Sequence, residues 1–137
     1  LNGSGDWVTL RLSDDEFSLL FQMSKESPNI REYGLGEGPP RAGIETLHEL
    51  LGFLREIRGY ARTRLERVPE VGRSDRVRLV SVAPGSVTLS FRSTMVESVL
   101  AGLETVRERL GDAETHTRTG FSPAEVSALV TRLRETR

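Results

Sequence analysis

RVRLVSVAPGSVTLSFRSTMVESVLAGLETVRERL, residues 76–110, decides the fold of this chain. Val87, Leu89 and Phe91 alternate with Thr88, Ser90 and Arg92, the period of a strand with one apolar and one polar face. Before them, Val77 and Leu79 oppose Arg76 and Arg78. Val80 and Val82 break the alternation, which predicts that the far end of this arm is covered on both faces. Pro84-Gly85 joins the arms. Proline presets φ for the second turn position, and glycine accepts the positive φ of the third. Two strands alone are marginal in water, so the hairpin needs a third strand or a helix on its apolar side.

The same stretch supplies the helix. Val96, Val99, Leu100, Leu103, Val106 and Leu110 recur at helical spacing over about Met95–Leu110. Thr94 is the expected N-cap, with Glu97 completing a capping box, and Gly111 the expected left-handed C-cap. Each hairpin side chain buried under that stripe contributes roughly 1.5–3 kcal/mol.

Upstream, Val8, Leu10 and Leu12 alternate with Trp7, Thr9 and Arg11, giving a first strand over Asp6–Leu12. Ser13 then caps a helix, with Glu16 closing a capping box and Asp14 and Asp15 in its electropositive first turn. Ser27-Pro28 ends that helix. Residues 28–43 hold Gly34, Gly36, Gly38, Gly43 and Pro39-Pro40, and read as a flexible loop. Gly34–Gly38 superficially matches a phosphate-cradling loop, but no strand leads into it and no Lys-Ser/Thr follows.

Ile44 to about Arg67 is the longest helix, roughly 35 Å. Leu47, Leu50, Leu51, Leu54, Ile57, Ala61 and Leu65 form its stripe, and Phe53 and Tyr60 widen it. Such a width predicts more than one neighbour, within the fold or in a second copy. Gly52 and Gly59 share another side and suggest close approach of a helix, so Gly52, Phe53, Gly59 and Tyr60 are the candidate helix interface. His48, Arg55, Arg58 and Arg62 edge the stripe as a solvated row. Pro69–Asp75 links this helix to the hairpin.

Beyond Gly111, Ala113–Thr119 reads as a short polar strand. Ser122, Pro123 and Glu125 then mark a capped helix start, with Phe121 placed to staple onto Val126. These elements predict an α+β fold. A small antiparallel sheet of three or four strands has amphipathic helices on one face, in the order β-α-α-β-β-α-(β)-α. The first strand is expected to pair with the hairpin. Residues 1–5 read as a linker or cloning scar, and 6–137 as a single domain.

Composition narrows function mainly by exclusion. Of the 137 residues, 19 are Lys or Arg and 20 Asp or Glu, so a net charge of -1 gives no global attraction to nucleic acid or anionic membrane. There is no cysteine, which excludes disulfides, thiolate metal sites and a cysteine nucleophile and fits a cytoplasmic setting. No apolar run approaches the roughly 20 residues that span a bilayer. His48 and His116 stand apart, without metal-ligand spacing, and HExxH, GxSxG and P-loop motifs are absent. The expectation is a non-enzyme with no cofactor and no metal.

The candidate binding surface is the outer face of the sheet, with Trp7, Arg11, Arg76, Arg78 and Arg92. Arginines there suit phosphates or acidic side chains. One aromatic is too few for a sheet that stacks RNA bases. The favoured reading is a non-catalytic interaction or regulatory module, a homodimer through the long helix or an accessory domain of a larger bacterial-type protein. The alternative is a small-ligand or nucleic-acid binder using the arginine-bearing face.

Overall fold

The computed structural model describes residues 6–32, 39–63 and 75–136, apart from the side chains of 31, 32, 39, 40 and 59–63. The chain runs β1 (Trp7–Ser13), α1 (Asp14–Lys25), α2 (Ser27–Glu32), α3 (Pro39–Thr63), β2 (Val77–Ala83), β3 (Ser86–Arg92), α4 (Ser93–Thr119) and α5 (Pro123–Glu135). The fold is α+β, as the patterning predicts: a three-stranded antiparallel sheet in the order β1-β3-β2. The calls at Gly3–Gly5, Gly34–Gly38, Leu65 and Pro69 lie outside the described residues.

Alternation places Val8, Leu10 and Leu12 opposite Phe91, Leu89 and Val87 across β1 and β3. On the other side Val77 and Leu79 face Phe91 and Leu89. Leu12 and Leu89 are fully buried, and Phe91 is 1% exposed. Gly85 closes the hairpin at φ +80, the positive value its turn position demands.

Val80 and Val82 are not covered on both faces. A register shift between Leu79 and Ser81 marks a β-bulge at Val80. The extra residue stands 45% exposed, and Val82 returns to the apolar side opposite Val87. What looked like a doubly apolar strand end is one residue too many for a regular ladder.

The helices pack behind the apolar face. Ser13 and Glu16 form the expected capping box, with Glu16 N donating to Ser13 Oγ at 3.1 Å and Ser13 N to Glu16 Oε1 at 2.9 Å. Ser122 and Glu125 repeat it at α5, with Pro123 in the first helical position. Pro28 ends α1 but does not open a loop. Residues 28–32 are helical in α2, and α3 starts at Pro39 rather than Ile44. Proline is tolerated in a first helical turn, where its missing N–H has no helical partner to lose.

From Ile44 to Ile57 the apolar stripe of α3, with Phe53, is buried within the fold, where the helix contacts α1, α2 and α4. Its contact with α4 rests on two glycines. A β-carbon at Gly43 would stand 2.5 Å from Gly102 N, and one at Gly102 would stand 2.5 Å from Gly43 O and 2.7 Å from Leu47 Cγ. Gly52, expected to allow such an approach, has open space around it.

The start and end of α4 differ from expectation. Its N-cap is Arg92, which makes no side-chain capping bond, so Thr94 and Glu97 do not form the predicted box. The chain enters α4 directly from β3, and Ser93 N is taken by the Asp6 carbonyl at 3.0 Å. Gly111 breaks the helix at φ 79, ψ 165, a conformation essentially confined to glycine. Residues 113–119 are helical, not a fourth strand. Thr115 and Thr119, one turn apart, are both buried, and Thr117 and Thr119 hydroxyls donate to the carbonyls of Ala113 and Thr115. Arg118 bonds Glu114 four residues back at 2.8 Å. The left-handed C-cap is Gly120 (φ 81, ψ 3).

Candidate functional site

Strand alternation places Trp7, Thr9 and Arg11 on the face of β1 turned away from the helices, opposite Arg92, Ser90 and Thr88 of β3. Arg78 joins them from β2, opposite Ser90. The indole of Trp7 gathers two cations, with the guanidinium carbon of Arg78 4.0 Å and that of Arg92 4.2 Å from its ring centroid. Arg92 Nε also donates to the Asp75 carbonyl at 3.1 Å. Beneath this cluster the Thr9 and Ser90 hydroxyls share a 2.7 Å hydrogen bond. Farther along, Arg11 Nε donates to Ser86 Oγ at 3.1 Å. Thr9, Arg11 and Arg78 are exposed, so this end of the face is open to solvent. Among the described residues neither Arg11 nor Arg78 pairs with a carboxylate.

Arg76 does not belong to this surface. It precedes β2 and turns to α3, where Nη1 meets Glu49 at 2.5 Å and Nη2 lies 3.5 Å from Thr46 Oγ1. Alternation counted back from Val77 assigns it outward, but the strand pattern stops before Arg76 and the bend leaves it free to turn.

Of the candidate helix interface, the structure places Gly52 and Phe53. Phe53 is 8% exposed within its own chain, so it is not offered to a second copy. Gly52 lies on the solvated side of α3, and at Gly59 and Tyr60 only the helical backbone is described. In the row beside the stripe, Arg58 covers the Phe21 ring at 4.7 Å, while His48 and Arg55 are exposed. Among the described residues no group of three or more His, Asp or Glu is placed to hold a metal, and no helix is long and apolar enough to cross a membrane.

A cleft of about 360 Å³ opens between α2 and the break in α4, lined by Asn29, Ile30, Arg109, Leu110 and Arg118. Arg118 is anchored by Glu26 at 3.1 Å and Glu114 at 2.8 Å. Its hydrogen bond to Glu114, then the charge of Glu26, raise the guanidinium above its ordinary value. Arg109 is exposed and has no ion-pair partner among the described residues. The sequence reading missed this cleft because it made 113–119 a strand and 28–32 a loop. The usable signals were the Glu114–Arg118 spacing and the one-turn separation of Thr115 and Thr119.

At the rear of β1, Glu16 joins α1 to α5 through Arg132, whose Nη1 lies 2.5 Å from the carboxylate. Burial pushes the Glu16 carboxyl up, but the Ser13 N–H and the Arg132 guanidinium outweigh it and hold the group below its ordinary value.

Comparison of the chain with known protein families, curated proteins and solved structures finds no match.

Proposed function

We propose that this protein is a non-catalytic interaction module that binds an acidic segment of a protein partner across the outer face of its sheet. The observation that carries this reading is the Trp7–Arg78–Arg92 cluster, with Arg11 beyond it, on the solvated side of β1, β2 and β3. Guanidinium forks match carboxylates bidentately, and an arginine held against an aromatic ring loses less freedom on binding. Trp7 is already flanked by two guanidinium groups, so its ring is poorly placed to stack on a nucleobase. A cytoplasmic setting accompanies this reading, in keeping with the absence of cysteine.

The test is an amide-resolved NMR titration of the full chain with a panel of Glu- and Asp-rich peptides, and with single-stranded RNA and DNA of matched charge. An acidic peptide is expected to shift Thr9, Arg11, Arg78 and Ser90, to bind more weakly as salt rises, and to lose at least about tenfold in affinity to the Arg11→Glu/Arg78→Glu variant. Tighter binding of an oligonucleotide at those residues, or no peptide shifting them, overturns the reading.

A further inference from the structure

We propose that the cleft between α2 and the break in α4 binds a small organic anion, its charged head on Arg109 and Arg118 and its apolar body against Ile30 and Leu110.

The lining residues are two arginines, one asparagine, one isoleucine and one leucine. The cleft is more polar than most small-molecule pockets, which suits a charged ligand, and about 360 Å³ falls near the lower end of the usual range, roughly 300–1,000 Å³. The break creates the space. Gly111, at φ 79 and ψ 165, interrupts α4 directly after Leu110, so Arg109 and Arg118 reach one cleft from two helical segments.

Arg118 is fixed before any ligand arrives. Nε donates to Glu114 and Nη1 to Glu26, which leaves three of its five N–H donors uncommitted. Glu26 is only 9% exposed and accepts a second, longer contact from the Asn29 amide at 3.4 Å, so the carboxylate beneath the cleft is already engaged. Arg109 makes no ion pair among the described residues and balances the second carboxylate held by Arg118, so the anion is gripped by N–H donors rather than by net charge. A carboxylate or phosphate monoester can accept from both guanidiniums at once, and a short chain or ring on it would cover Ile30 and Leu110.

The experiment titrates the full chain with benzoate, hexanoate and phenyl phosphate, with benzamide and inorganic phosphate as controls, followed by amide NMR and calorimetry. At least one organic anion is expected to saturate shifts at Asn29, Ile30, Leu110 and Arg118 with Kd of about 1 mM or tighter. Benzamide, lacking charge, and inorganic phosphate, lacking an apolar body, should each bind at least about tenfold more weakly. Whichever of carboxylate and phosphate monoester binds tighter identifies the head group. Arg109→Glu should abolish saturation while leaving Tm unchanged, since the side chain is exposed. Absence of a saturating organic anion overturns the proposal, as does a control that binds equally well or an Arg109→Glu variant of unchanged affinity. None of the lining residues lies on the sheet, so Arg11→Glu/Arg78→Glu should leave this affinity intact, and the two sites stand or fall separately.

Discussion

The two faces of the sheet share every backbone hydrogen bond and almost no chemistry. On the inner face Leu12, Leu89 and Phe91 are sealed, and any one of them is replaceable only by a side chain of similar shape. One residue along, Thr9, Arg11 and Arg78 stand in water, and at the two arginines charge and fork geometry matter more than volume. The sealed core residues and the proposed contact residues are therefore a single step of the pleat apart. A substitution at Arg11 or Arg78 should be nearly silent in stability, whereas Trp7, held against two guanidinium groups, is coupled to it.

The inner face breaks most severely. Phe91→Ala should cost about 3–5 kcal/mol in denaturant unfolding, because Phe91 contacts both neighbouring strands and the helical layer cannot close over the void. Gly102→Ala, in the layer behind, should cost about 1–3 kcal/mol by overpacking, since the new methyl meets the Gly43 backbone. The outer face should respond more mildly. Trp7→Ala removes two cation–ring contacts and should lower stability by about 1–2 kcal/mol, while weakening acidic-peptide binding through loss of the platform for Arg78 and Arg92.

Glu16 sharpens the comparison through pH. Its carboxyl titrates lower in the folded chain than in the unfolded one, so the stability it contributes is complete above the ordinary glutamate range and is lost as pH falls through the depressed value. Thermal unfolding from pH 7 to pH 3 should show Glu16→Gln less stable than the parent at neutral pH and converging on it in acid. The smallest effect reverses sign. Gly52→Ala should raise stability by about 0.5–1 kcal/mol, because the position is helical, exposed and surrounded by open space.

Legibility followed the length scale of the interactions. The β1 and β3 alternation, the Pro84-Gly85 turn and the boxes at Ser13 and Ser122 are set by neighbours in sequence, and each appears where the pattern places it. Gly43 and Gly102 lie 59 positions apart and matter only because two helices cross there, so neither stood out among the chain's 13 glycines. Ala113–Thr119 reads as a short polar strand from composition, but burial of Thr115 and Thr119 one turn apart, with the Thr117 and Thr119 hydroxyls bonded back four residues, belongs to a helix. Arg11, Arg78, Arg92 and Trp7 were readable as one surface because alternation alone places them. Arg76 escaped because a bend, not a strand, decides where it points. The cleft needed the Gly111 break and the helical state of residues on both of its sides.

The bulge at Val80 bears on the free edge of the sheet. A three-stranded open sheet exposes two combs of unsatisfied amides and carbonyls, the template from which cross-β fibres grow. Along β2 the added residue throws the comb out of step just where the most exposed large apolar side chain among the described residues sits. On β1, Arg132 occupies the Arg11 carbonyl at 2.9 Å. Deleting Val80 would straighten one edge, and removing Arg132 would uncover the other. Each edge thus departs from the straight, open comb that fibre growth requires, one by misfit and one by a hydrogen bond.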